Sequence, residues 1–222
     1  MSEILYYYFN LEVMQRYLPD LLGGFGVTVA MAVLVVTFGI SGGLALAVVR
    51  ALRVRPLNWL LIFFVDLFRA VPPLVIMVFV FFALPYAGLT MSSFVSATVS
   101  LTLVLMAFAE EIFWAGITSV ARGHWEAARS TGLTYIQTLR HVVLPQAIRL
   151  GIPPLTNRTI AITKGTSLAT VIAVQEILNR ATSAQSAAAN PSPLMLGAIL
   201  YLVLFAPFVR FSRWVEHRYG RR

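Results

Sequence analysis

Apolar residues in this chain run in long stretches instead of alternating with polar ones, and the length of those stretches is the first constraint on the fold. A helix needs about 20 apolar residues to cross a hydrocarbon core of about 30 Å. Phe25 to Val49 meets that requirement without a single charged residue. Four more stretches predict spans. Trp59 to Leu84 is interrupted by Asp66, Arg69 and the Pro72-Pro73 pair, and Ser93 to Ile117 carries Glu110 and Glu111 toward one end. Gln146 to Val174 should be broken at Pro153-Pro154 and again near Lys164-Gly165. Leu194 to Val209 is uncharged and slightly short. The expectation is an all-α integral membrane protein of about five transmembrane helices, because backbone groups in lipid must be satisfied within the segment. Residues 1–24 read as an external N-terminal tail, 25–212 as the transmembrane domain with a cytoplasmic loop at 121–145, and 213–222 as a basic cytoplasmic tail. Asn179 to Pro193, rich in Ala, Ser and Asn, reads as a flexible external connector.

Composition agrees. Hydrophobic residues make up 59% of the 222 and charged residues 12%, with a mean hydropathy of +0.80. A soluble domain carries about 25% charged residues, so this chain has too few to cover a water-facing surface, which excludes most soluble enzymes. The absence of cysteine excludes a disulfide framework, a thiolate metal site and a cysteine nucleophile.

A net charge of +8 would point to nucleic acid if the cations were spread evenly, but they are segregated. Alternate loops carry Arg50, Arg53, Arg55, Arg122, Arg129, Arg140, Arg149, Arg210, Arg213, Arg218, Arg221 and Arg222 on one side, against Arg16 and Arg180 on the other. Cytoplasmic loops hold the excess of arginine and lysine. The N-terminus is therefore expected outside and the C-terminus in the cytoplasm, with the arginines as a membrane-surface collar and no nucleic-acid partner. Glu3, Glu12 and Asp20 stand where a signal peptide would have a basic region. No internal repeat is evident, so an inverted-repeat transporter lacks its usual sequence pointer.

The loop at 121–145 has too much internal pattern for a passive linker. Trp125 to Ser130 are good helix formers, Gly132 is placed for a left-handed terminating residue, and Thr134 with Gln137 has capping-box spacing. Pro145 is expected to stop or redirect the second helix. Glu126-Ala127-Ala128, then Gly132, then Leu144-Pro145, resembles the EAA loop of ABC importer permeases. The resemblance extends over roughly Gly23 to Ala181 through LFRAVPPLV, AFAEEIFWAGI, LPQAIRLGIPPLTN and KGTSLATVIAVQEI, which look like segments of the polar amino-acid permeases.

That resemblance implies an importer permease of the type I fold in a bacterial cytoplasmic membrane. Its loop would dock on a separate ATPase subunit that binds ATP and Mg²⁺. A second permease, identical or homologous, and an extracytoplasmic solute-binding protein would complete the assembly. Three positions depart from the pattern. Trp114 stands where arginine is usual, Glu110 where alanine is usual, and Gly165 where aspartate commonly follows the lysine.

The residues themselves support a transport subunit over an enzyme. The single lysine, Lys164, lies between Thr163 and Gly165 and cannot be the lysine of a phosphate-binding loop. His124, His141 and His217 have no zinc-hydrolase spacing; His124, just before the coupling motif, is placed to touch an ATPase.

Charges inside a bilayer are costly and pair or line a wet cavity. Asp66 and Arg69, three apart on one helical face, are placed to neutralise each other. The fourth stretch is the favoured substrate path: Thr156, Asn157, Thr163, Thr166 and Ser167 offer hydrogen bonds, and Lys164 or Arg158 a partner for a carboxylate. Arg69 and Glu111 join them as gate or path residues, while Glu110 is read as closer to the cytoplasmic interface. Two alternatives stay open: an ABC permease for another small polar solute (an opine, a compatible solute, an amino-acid derivative), and a proton-coupled transporter using Asp66, Glu110 or Glu111.

Overall fold

The computed structural model describes residues 6–219; Glu3, Arg221 and Arg222 lie outside the described residues, as does the side chain of His217. Helix α1 (Leu11–Ala51) is 41 residues long, about 60 Å at 1.5 Å per residue, twice the depth of a hydrocarbon core. Its buried positions, Leu21, Gly24, Thr28, Met31, Val35, Gly39, Gly43, Ala47 and Ala51, recur at three- and four-residue steps and form one stripe. That stripe packs along α4 (Ser93–Ser119). The approach is close because side chains are absent: a Cβ on Gly43 would lie 2.5 Å from the Ala109 Cβ. Small residues let membrane helices gain dispersion contacts where no hydrophobic effect drives them together.

Between these two helices the chain makes α2 (Arg55–Ala70) and α3 (Pro73–Phe82), bent by 105°. The bend has a local cause. Val71, ahead of proline, is extended at φ −84°, ψ 132°, and neither Pro72 nor Pro73 has an N–H to continue the helix. After α4 come α5 (Arg122–Ser130), α6 (Tyr135–Thr138), a π turn (Leu139–Val143), α7 (Leu144–Lys164) and a 3₁₀ segment (Gly165–Ile172). Helices α8 (Ile177–Ala188) and α9 (Ser192–Tyr219) complete the fold.

Four expectations change. The tail of residues 1–24 is helical from Leu11 onward and continuous with the first span; Asn10 caps it by accepting from Val13 N–H at 3.2 Å, and Leu21 is buried against Ile177, Ala181 and Leu196. Asn179 to Pro193 is mostly helix α8, not a flexible connector. Its alanines favour helix, and Ile177, Ala181 and Ala184 bury one face. Pro153-Pro154 does not break α7, although the transition at Lys164-Gly165 is present as the change to 3₁₀ geometry. Pro145 starts α7 instead of stopping α6. The π turn closes through the wider Leu144 N–H to Leu139 C=O bond and runs directly into α7, and this local widening accommodates the proline that lacks an N–H.

Three described helices are long and apolar enough to cross a membrane: residues Tyr6–Ala51, Ser93–Ser119 and Ser192–Val215. The bent α2–α3 pair makes a fourth if counted as one span. Helix α7, carrying Arg149, Arg158 and Lys164, is not among them.

Candidate functional site: coupling loop and intramembrane charge cluster

Two arrangements account for most of the chemistry. The first is the loop at 121–145. Helix α5 ends at Ser130, and Gly132 turns the chain at φ +91°, a left-handed conformation that costs a residue with a Cβ about 1–2 kcal/mol. Thr134 then accepts from Gln137 N–H at 3.3 Å while the Gln137 side chain accepts from Thr134 N–H at 2.9 Å, completing the capping box. Glu126 and Ala127 are exposed and Ala128 is buried, so the motif presents one side outward and packs the other. Leu144 and Pro145 lie where the hairpin passes into α7.

Contacts on both flanks hold this hairpin. Trp125 stacks on Tyr135 with ring centres 5.2 Å apart, and the Tyr135 hydroxyl donates to the Ala51 carbonyl at 2.7 Å. Gln146 donates to Val142 C=O at 2.7 Å, which leaves its amide oxygen to accept from His124 Nδ1, also at 2.7 Å. A space of about 330 Å³ between the hairpin and the ends of α1 and α4 is lined by Arg53, Trp114, Arg122, Glu126 and Arg129 among others.

Gly132→Val is expected to strain the turn, since the surroundings leave room for the side chain but the backbone angle does not accept it. A β-branched residue there should cost about 2 kcal/mol or more. The measurement is the melting temperature of the purified chain beside co-purification with the ATPase subunit that the sequence resemblance implies. The expected outcome is a chain that still folds in detergent and no longer co-purifies.

The second arrangement is a charge cluster on α4. Glu110 is fully buried and receives Arg50 Nη1 at 3.1 and 3.2 Å on its two oxygens. Glu111 lies 3.9 Å from the same nitrogen and 3.3 Å from Arg69 Nη1. Beneath Arg50 is Trp114, with 4.6 Å from the guanidinium carbon to the ring centre. Phe108, nearly two turns earlier, has Arg158 at 3.8 Å and Arg69 at 5.6 Å from its ring centre. Both are cation–π contacts, favoured when the cation is shielded from water. Two of the departures noted in the sequence, Glu110 and Trp114, thus serve one guanidinium.

Several assignments are corrected here. Arg69 pairs with Glu111 and not with Asp66. Glu110 is buried within the protein, and Arg50, read from the sequence as part of the arginine collar, is engaged in its ion pair. Thr166, a candidate path residue, is fully buried here, and its hydroxyl donates to the Thr163 carbonyl at 2.8 Å.

Thr156 and Ser167 also donate to their own helix, to Ile152 at 2.7 Å and Lys164 at 3.1 Å, leaving lone pairs but no free donor. Asn157 is exposed and accepts from Ser212 at 2.7 Å. Lys164 and Ser167 face Tyr201, Leu202 and Phe205 of α9 across a depression of about 370 Å³. The structure therefore gathers Arg69, Glu111 and Arg158 around Phe108 and sets Lys164 with Ser167 apart from them. Arg50, Phe108 and Tyr135 were not singled out from the sequence. Arg50 was read only as one of the collar arginines, and the helix packing identifies the partners of all three.

Comparison with known proteins fits this geometry. The family described as "Binding-protein-dependent transport system inner membrane component" matches residues 39–221. The L-cystine transport system permease protein TcyB of Bacillus subtilis (strain 168) is 40% identical over 169 residues, covering 76% of this chain and 72% of that protein. The probable glutamine ABC transporter permease protein GlnM of the same organism is 37% identical over 196 residues, covering 88% and 91%. Among solved structures, an amino acid ABC transporter crystallised with histidines superposes with a TM-score of 0.83 at 29% identity, over 92% of this chain and 96% of that one. With a family match over most of its length and relatives of this similarity, the chain belongs to the binding-protein-dependent transport system inner membrane components, the permease subunits of ABC importers, and is a transport subunit whose ATP is hydrolysed on a separate polypeptide.

Proposed function

We propose that this chain carries a polar amino acid across the bacterial cytoplasmic membrane by alternating access, as one of two permeases in an ATP-driven importer. The observation that carries the reading is the hairpin at Glu126 to Pro145. It combines a rigid glycine turn, a completed capping box and an outward Glu126-Ala127 face at the end of a membrane helix. Such a projection suits a groove on an ATPase subunit, and closure of the ATPases would then rock the attached helices between outward and inward states. A solute-binding protein would deliver the amino acid from outside. The arginine segregation supports an N-terminus outside and a C-terminus in the cytoplasm.

The amino-acid part of the proposal rests on the relatives named above and on charge. Arg158 has no carboxylate within 4 Å among the described residues, is exposed, and stands beside Arg69 at Phe108. An exposed guanidinium on α7, held over the Phe108 ring, is available to an anion, and an amino-acid carboxylate meets that need. The same charges argue against a proton relay, because Glu110 and Glu111 are both engaged by arginines.

Uptake of a panel of labelled polar amino acids by the reconstituted importer tests the proposal. Arg158→Gln should raise KM about tenfold or more, since a hydrogen bond to a charged group contributes about 1.5–3 kcal/mol, with ATPase association unchanged. An unaltered KM would remove Arg158 from the path. Selective uptake of solutes without a carboxylate would replace the amino acid with another polar cargo.

A further inference from the structure

The charge cluster and the coupling hairpin meet at two consecutive residues of α1. The Ala51 carbonyl accepts from Tyr135, whose ring stacks on Trp125, the neighbour of Glu126. One residue earlier, Arg50 sends its side chain to Glu110 and its carbonyl to α2, where Asn58 Nδ2 donates to it at 3.1 Å. Glu111, beside Glu110, holds Arg69, two residues before the bend at Val71-Pro72. Helix α2 is thus gripped near both ends by groups that converge on Arg50: Asn58 at its start and Arg69, through Glu111, at its end.

We propose that Tyr135, Arg50 and Glu110 are positioning residues that relay displacement of the coupling hairpin to Arg69 and the bent α2–α3 pair. The proposal rests on the reading that the hairpin docks on an ATPase. The first two links are short and directional, and the last, Arg69 to Glu111 at 3.3 Å, is a more exposed ion pair with side chains 36% and 40% accessible. The tyrosine bond is a single hydroxyl on a single carbonyl. The Arg50–Glu110 pair lies in the protein interior, with the two side chains 15% and 0% exposed, so separating them would leave a buried charge without a partner. Trp114 closes one face of the guanidinium. Exposed ion pairs yield to water and salt; this one cannot, so a shift at Ala51 is transmitted instead of being absorbed. Contact alone does not establish energetic coupling, which is why the test is a double-mutant cycle.

The experiment uses the complete importer in proteoliposomes and reads the amount of amino acid moved per ATP hydrolysed. Tyr135→Phe keeps the stack on Trp125 and removes one hydroxyl. Glu110→Gln keeps shape and an acceptor and removes the charge. The melting temperature and ATPase co-purification of each variant are measured alongside.

In Tyr135→Phe the expected result is normal assembly and continued ATP hydrolysis, with solute moved per ATP reduced about fivefold or more, the lower end of ordinary coupling factors. Combining it with Glu110→Gln should lower the ratio no further than the worse single variant, because both cut one chain. An unchanged ratio in Tyr135→Phe would overturn the relay while leaving the importer reading intact, and so would multiplicative losses in the double variant. Absence of ATP-driven uptake by the unmodified protein would sink both.

Discussion

Arg50→Met is expected to destabilise this permease by about 3–5 kcal/mol, the cost of leaving one member of a buried ion pair alone. Glu110 has no exposed surface, and both of its oxygens are directed at Arg50. Without the guanidinium the carboxylate faces Trp114 and the tightly packed α1–α4 contact around Gly43, where water has little room. Thermal unfolding in detergent should register a clear drop. Arg50→Met combined with Glu110→Met should recover most of it, because two apolar groups of similar volume often replace a buried pair at little cost. A drop that persists in full in the double variant would mean that Arg50 matters through packing over Trp114, not through charge.

Ala127→Arg should abolish transport with little effect on the fold. Ala127 is exposed on α5 while Ala128 beside it is buried, so a long side chain at 127 projects outward into the proposed ATPase groove. A residue at the centre of a docking surface commonly controls about 2–4 kcal/mol of association, equivalent to a weakening of about 30- to 1,000-fold. Co-purification with the ATPase should fail, and the melting temperature of the permease alone should stay where it was. Retained assembly and uptake would move the docking surface elsewhere.

The sequence made some elements legible because a single residue type decided the outcome. Gly132 announced its left-handed turn, Thr134 and Gln137 their capping box, and Pro72-Pro73 a discontinuity in the second stretch. Each is a local rule, and local rules can be read in one dimension. The misreadings have the opposite character. Residues 11–24 mix Glu12, Arg16 and Asp20 with Met14 and Leu21, and only the burial of Leu21 against Ile177 makes them part of the first helix. The alanines and serines of α8 suggest a loop by composition, while Ile177, Ala181 and Ala184 form a packed face that becomes evident beside α1 and α9.

Pro153-Pro154 shows propriety of sequence rules failing in another way: a proline removes one donor, and α7 continues through both. For the charges the limit was partner choice. Spacing on one helix favoured Asp66 for Arg69, but Glu111 on a neighbouring helix lies 3.3 Å away. Nothing along the chain links Arg50 to a carboxylate sixty residues later.

The most direct test of the account is accumulation of a labelled polar amino acid by proteoliposomes holding this chain, its partner permease, the ATPase and the solute-binding protein, with ATP and a proton gradient imposed separately. The expected result is accumulation that requires ATP, requires the binding protein and is lost in Glu126→Ala. Accumulation driven by the proton gradient alone, undiminished in Glu126→Ala, would contradict it.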